Sequence, residues 1–293
     1  NRVAAAQLAT SLLAVVVVLL ALEHRAQRRM RFAASRGARA GSAEAQPAHL
    51  SGRRAALAIV LCSLPILAGF VLPVAFMLRP LAADWSVLPW DRFLQWAWNS
   101  VRLGAITAVL AILVALLLAS SLRRGGDAIT RGVVRLAGLG YAIPGAVIVV
   151  GLLLPVGWLQ AAAPQVPAVY WVTGTVLGVV WAYLVRFMSV ALQSVQSGYA
   201  RIPPSFDDSA RMLGTGRLAL LARVHWPLLR GPAAAAALLV FVDVMKELPA
   251  TMLLRPFNTD TLAVVAYQLA RDERVGEAGL PSLALVLVGL LRV

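Results

Sequence analysis

Apolar runs long enough to cross a bilayer recur along the chain, near residues 3–22, 55–78, 97–121, 132–157, 168–194 and 232–254, with another starting at about 279. An α-helix rises about 1.5 Å per residue, so about 20 apolar residues span the roughly 30 Å of hydrocarbon in a membrane. Each complete run therefore predicts a membrane-crossing helix. The fourth contains "GLGYAIPGAVIVVGLLLPVG", and helical spans tolerate such Gly and Pro where neighbours satisfy the backbone.

The polar connections between these runs alternate in character. Arg25, Arg28, Arg29, Arg31, Arg36, Arg39, Arg53 and Arg54 fill the first, Arg123, Arg124 and Arg131 the third, and Arg201, Arg211, Arg217, Arg223 and Arg230 the fifth. The others hold fewer basic residues, among them Arg79, Arg92, Arg255, Arg271 and Arg274, mixed with Asp84, Asp91, Asp260, Asp272, Glu273 and Glu277. Simple alternation of spans puts every basic-rich connection on one side, which the positive-inside rule makes cytoplasmic. The first connection is also rich in Gly, Ser and Ala, and reads as a flexible linker between two membrane units.

Composition agrees with this reading. The 293 residues are 60% hydrophobic and 14% charged, where a soluble domain is about a quarter charged. The net charge of +14 lies mostly between spans, so it reports topology rather than a basic groove, and no aromatic-plus-basic module for bases is present. Nucleic acid is therefore not an expected partner. Cys62 is the sole cysteine; it cannot form an internal disulfide and reads as a small buried hydrophobe. His24, His49 and His225 are far apart and match no metal-ligand spacing, so they read as loop or interface positions and no metal site is expected. The chain begins at Asn1 inside an apolar run and stops partway through another, which reads as a piece of a longer chain.

The fifth connection carries a motif. Residues 203–232 read "PPSFDDSARMLGTGRLALLARVHWPLLRGP". Ser205 with Asp208 predicts a capping-box-like helix start after the paired prolines, and Gly214 supplies a left-handed stop. A second helix starts near Thr215 and is expected to end near Pro227. Asp208, Ser209 and Ala210, then Gly214, Val224 and Pro227, resemble at matching spacing the E-A-A…G…I/V…P loop of bacterial ABC importer permeases. Asp208 replaces Glu, Ser209 replaces Ala, and Trp226 replaces the usual Leu. The resemblance implies that this loop, 195–231, carries a coupling helix seated in a groove of an ATP-hydrolysing subunit, with Arg211 beside it. The reading without the resemblance is a pair of interfacial amphipathic helices, with Arg211, Arg217 and Arg223 near anionic headgroups.

The resemblance extends along nearly the whole chain. "YAIPGAVIVVGLL" at 141–153 and "FVDVMKELPATMLLRPFNTDTLAVVAYQLARDERVGEAGLPSL" from 241 resemble the second half of ferric-iron importer permeases. It implies an all-α polytopic membrane protein with a type I ABC importer transmembrane domain: about six spans plus one helix of a preceding half. Residues 1–22 would be the last helix of that half, 23–54 a cytoplasmic basic linker, and 55–293 the second half, with its core at about 95–293. The implied partners are a dimer of ABC ATPase subunits, a periplasmic substrate-binding protein, the first permease half and the lipid bilayer, in a bacterial inner membrane. The implied cargo is ferric iron. Thiamine, a polyamine or an oxyanion on the same architecture, and a secondary transporter or channel, are the alternatives.

Asp243, Lys246 and Glu247 lie inside the apolar run 232–254. Charged groups there cost about 2.5–3.5 kcal/mol each on insertion scales, and so face protein or a water-filled cavity and pair. Helical spacing puts all three on one broad face, with Asp243–Lys246 as the local pair and Glu247 seeking a partner on another helix or on the other permease half. The cluster reads either as a packing determinant or as a lining or gate of a translocation pathway. Tyr141, Pro144 and Gly145 have the same two readings, close packing or a broken helix beside the pathway, with packing ahead. Lys246 is the only lysine and is followed by Glu247, so the chain carries no Gly-Lys-Ser/Thr phosphate loop. It is expected to bind no cofactor, to draw on ATP through its partner, and not to be an enzyme.

Overall fold

In a computed structural model of the chain, residues 50–291 are described. The span expected at 3–22, most of the linker 23–54, His24 and His49 lie outside them. The chain divides into two compact units, Asn1–Leu64 and Pro65–Val293. The described part of the first is the start of helix α1 (Gly52–Ile66), which has no buried residue. Cys62 is accordingly exposed, not buried; beyond Arg54 its helix is almost wholly apolar, a surface suited to lipid chains.

The second unit is all-helical among the described residues. Its helices are α2 (Leu72–Ala83), α3 (Trp90–Arg123), α4 (Ala128–Leu139), α5 (Gly145–Ala162), α6 (Ala168–Thr173), α7 (Val176–Ala200) and α8 (Pro204–Met212). After these come α9 (Arg217–Leu220), a π-turn at Leu221–His225, α10 (Trp226–Met245), α11 (Pro249–Leu254), α12 (Leu262–Arg271) and α13 (Val275–Leu290). Among the described residues five helical stretches are long and apolar enough to cross a membrane: Gly52–Ala83, Trp90–Arg123, Gly145–Ala162, Val176–Ala200 and Leu221–Met245.

Helices α3, α7 and α10 pack against one another and form the core. Apolar burial drives helices together only weakly where the solvent is lipid, so close approach of small residues takes its place. On α3, Gly104, Ala108, Ala111, Ala115 and Ala119 recur every three or four residues and are buried. A Cβ at Gly104 would come within 2.8 Å of the Phe241 ring on α10, so glycine is what lets that ring in. Facing them are Ala182, Ala191 and Val195 of α7 and Ala233, Ala236 and Val240 of α10. Helix α13 covers α2 and α12, with Leu81, Leu88 and Leu280 as a separate small core.

At one end Asn99 donates to the carbonyl oxygens of Asn258 (3.3 Å) and Asp260 (3.1 Å), and Ser100 Oγ accepts the Leu262 N–H at 2.8 Å. These bonds pin the segment before α12 to α3. Arg255 and Asp260 form an ion pair in the same segment. The opposite end carries Arg123, Arg201, Arg211, Arg223 and Arg230, as the alternation of connections predicts.

Three expected spans are interrupted. The run 132–157 is two helices, α4 and α5, separated by a 3₁₀ turn at Gly140–Ala142 and by Pro144. Ile143 is extended (ψ 128°), as a residue before proline prefers. The run 168–194 is α6 followed by α7, which restarts where Thr175 accepts the Leu177 N–H. The run 232–254 breaks at 246–248, because Pro249 has no N–H with which to continue the helical ladder.

Candidate functional site

Two clusters of polar side chains stand out in the second unit. The first is built around α8, at the arginine-rich end. Gly214 has φ +73°, the left-handed conformation expected after the helix. The start differs from expectation: Pro203 is the N-cap, Pro204 begins the helix, and no side chain caps it. Ser205 lies within the first turn, since proline at the first helical position already fixes φ and needs no donor partner. Nor does the second helix end near Pro227. The π-turn at 221–225 shifts the hydrogen-bond register just before that proline, the Trp226 N–H bonds to the Leu221 carbonyl oxygen, and the helix runs on to Met245.

The motif residues divide by face. Asp208, Ser209, Arg211 and Gly214 are exposed, Ala210 is buried, Val224 is half-buried and Pro227 is exposed. Asp208 and Arg211 pair across the surface at 3.6 Å. Phe206, Met212 and Leu213 are exposed beside them, the last two more than 80%.

The buried acid is Asp207, one residue earlier than the motif. Arg123 at the end of α3 donates from Nε to Asp207 Oδ2 (2.7 Å) and from Nη2 to Oδ1 (3.3 Å). The same guanidinium donates to the carbonyl oxygens of Tyr199 (3.0 Å), Ile202 (3.0 Å) and Pro203 (3.2 Å). His225 Nε2 lies 2.9 Å from Asp207 Oδ1, and its Nδ1 lies 3.3 Å from the Tyr199 hydroxyl. His225 is thus a buried member of this network rather than a loop or interface histidine. Burial raises the Asp207 pKa, but the hydrogen bonds from Arg123 and His225 outweigh it and hold the carboxyl below its ordinary range.

His225 reaches this position because of the π-turn. Leu220 and His225 are both buried though five residues apart, a spacing that a regular helix would rotate by about 140°. The wider turn brings both to one face. Sequence reading missed Arg123, Tyr199, Asp207 and His225. The available signal was the doubled acid at 207–208, which left one carboxylate spare.

The second cluster lies where two helices break. A cavity of about 210 Å³ is lined by Tyr141, Arg186, Phe187, Asp243, Lys246, Glu247, Leu248 and Pro249. Glu247 has a buried side chain; its Oε1 lies 3.3 Å from Arg186 Nη1 on α7, and its Oε2 accepts the Ala250 N–H at 3.2 Å. The partner expected on another helix is thus Arg186. Thr251 Oγ1 donates to the Glu247 carbonyl oxygen (2.7 Å) and contacts the Tyr183 hydroxyl (2.5 Å). Gly145, first residue of α5, abuts the pair: a Cβ there would overlap Glu247 Oε1 and stand 2.6 Å from Arg186 Nη1. The carboxylate therefore sits against the N-termini of α5 and α11, whose partial positive charge favours it. Tyr141 and Pro144 are exposed, Asp243 is half-buried and Lys246 exposed. At 141–145 the helix is broken, and the backbone at Gly140 and Gly145 packs closely against its neighbours. Among the described residues no three His, Cys, Asp or Glu side chains gather as metal ligands do.

No protein-family model matches the chain. It is 26% identical over 197 residues to the Fe(3+)-transport system permease protein FbpB 2 of Haemophilus influenzae, an alignment covering 67% of this chain and 37% of the relative. It is 27% identical over 221 residues to PhnV of Salmonella typhimurium, named as a 2-aminoethylphosphonate transport system permease, covering 75% of this chain and 78% of the relative. A solved chain from a bacterial alginate ABC transporter, in complex with an alginate pentasaccharide-bound periplasmic protein, superposes with a TM-score of 0.59. That match covers 81% of this chain and 92% of the other at 14% identity, so it shows the fold. The chain is similar to bacterial ABC transporter permeases. It is a multi-pass membrane protein with their fold, and the relatives are transport permeases rather than enzymes. The chain spans little more than a third of the length of the Haemophilus influenzae permease it matches.

Proposed function

We propose that this chain is part of the permease of an ATP-driven ABC importer in a bacterial inner membrane. One observation carries the reading: a helix, a left-handed glycine and a second helix hang at the arginine-rich end of the three core helices, with one face fastened and the other exposed. On this reading α8 is the coupling helix, and Asp208, Ser209, Arg211, Met212 and Leu213 meet an ATPase dimer that binds and hydrolyses the ATP. A periplasmic binding protein delivers cargo at the opposite end, a first permease half completes the pathway, and the linker 23–54 stays in the cytoplasm. The cavity at Tyr141, Asp243, Lys246 and Glu247 lines or gates that pathway, as intramembrane ionisable groups typically do.

Ferric iron as the cargo is supported by the resemblance and by the Haemophilus influenzae relative. A second reading, a small oxyanion-bearing solute such as 2-aminoethylphosphonate, is supported by the relative aligned over 78% of its own length. It is supported too by the cavity, where Arg186 and Lys246 balance Glu247 and Asp243. A bare hard cation is better served by an excess of oxygen ligands.

Co-purification of the full-length permease with its ATPase tests the architecture; a secondary transporter or channel would hold no ATPase, and Gly214→Pro would make no difference to it. Accumulation of labelled ferric iron and labelled 2-aminoethylphosphonate in a deletion strain, with and without the permease gene, tests the cargo. A solute taken up equally in both is excluded.

A further inference from the structure

We infer that Asp207 is a positioning residue, the point through which the loop helix α8 is fastened to all three core helices, so that a push on α8 moves them together. The inference rests on the importer reading above and names the contact by which its loop acts. Covalently α8 is joined only to α7, through residues 201–203, and to α10, through the Gly214 turn and α9. It has no chain connection to α3 nearer than 80 residues away. Arg123 supplies that link. Its donors are divided among Asp207 on α8, the Tyr199 carbonyl oxygen on α7, and the Ile202 and Pro203 carbonyl oxygens between them. From the other side His225 ties Asp207 to the turn that starts α10, and the Tyr199 hydroxyl closes the ring.

The geometry suits force transmission better than surface packing. The Arg123 and Asp207 side chains are 13% and 8% exposed, and charge-assisted, bidentate contacts of this kind have little angular play. The guanidinium also lies over the Tyr199 ring, 5.5 Å from its centre, which fixes its plane. On the opposite face of α8, Phe206, Asp208, Met212 and Leu213 make no part of the network and stay exposed. One face of a nine-residue helix is thus anchored and the other presented. Losing the anchor should leave the presented face able to bind while severing its hold on the bundle.

The test uses the full-length permease with its ATPase in proteoliposomes, with Cys62 and every other native cysteine replaced by serine and with Lys246→Cys, so that position 246 reports on the cavity. Alkylation of that cysteine by a membrane-impermeant maleimide is timed with and without ATP and vanadate. With Asp207 present, nucleotide trapping should change the rate by about fivefold or more, the scale of ordinary coupling between sites. Asp207→Asn should keep the ATPase at its usual ratio in co-purification, yet flatten that change to less than about twofold. Asp207→Glu should restore part of it, a rescue that mere filling of space would not require. An unaltered response in Asp207→Asn overturns the inference. So does loss of the ATPase from that variant while the parent retains it, since Asp207 would then shape the docking face. Should Asp207→Asn not accumulate, His225→Gln, which loosens the same ring from the α10 side, is read by the same change in rate. A parent protein that binds no ATPase instead rejects the importer reading itself.

Discussion

Gly145 and Glu247 are in such close contact that no Cβ fits at position 145: it would overlap the carboxylate Oε1. Gly145 opens α5 and Glu247 lies in the break between α10 and α11, so their contact holds that helix start against the break.

Gly145→Ala should therefore destabilise the protein by about 1–3 kcal/mol, the usual cost of overpacking. Neither neighbour gives way easily, because Arg186 and Glu247 hold each other and Glu247 also accepts the Ala250 N–H. A lowered melting temperature in detergent checks this, against Gly151→Ala as control, since nothing lies within 4 Å of a Cβ at Gly151.

Removing one partner of the Arg186–Glu247 pair should cost more than removing both. A single loss leaves a charge stranded, at about 3–5 kcal/mol for a fully buried pair, and less here because the Arg186 side chain is 25% exposed. Arg186→Met with Glu247→Met should recover at least part of the loss from either single change. A double-mutant cycle of unfolding free energies measures the coupling, and additive losses would mean the two do not interact.

Acid should loosen α8. The folded pKa of Asp207 is lowered from 3.8, so its contribution is fully present above that value and is lost as pH falls through the lower folded one. Asp207→Asn removes this dependence. Melting temperatures followed from neutral to acid pH should fall less steeply at the acid end for the variant, while its melting temperature at neutral pH is already lower.

Gly214→Ala should cost about 1–2 kcal/mol locally, because φ +73° is unfavourable for any residue with a Cβ. Nothing crowds the position, so the penalty is conformational alone. Faster amide exchange across 204–214 with unchanged exchange in α3 is the expected signature.

Among the described residues hydropathy alone located the long apolar stretches, because a lipid environment demands such runs wherever the chain crosses. It could not locate the breaks. Whether Pro144 or Pro249 bends a helix or ends it depends on what meets the freed backbone groups, as Glu247 meets the Ala250 N–H. The exposed face of α8 was legible from Asp208, Arg211 and Gly214, which lie within one short motif. Its anchor was not, since Arg123 and Asp207 are 84 residues apart. Arg186 was open to the reasoning applied to Asp243 and Lys246, a charge inside an apolar run, and it went unremarked. Asp207 was hidden by its neighbour, because only one of two adjacent acids faces inward on a helix.

The surplus residue in the 221–225 turn makes this stretch sensitive to length in a way its composition does not reveal. Deleting one residue among 221–224 would let an ordinary ladder re-form with Leu220 and the imidazole four apart and still on one side, whereas one added residue would turn them away from each other. A one-residue deletion there should thus be better tolerated than a one-residue insertion.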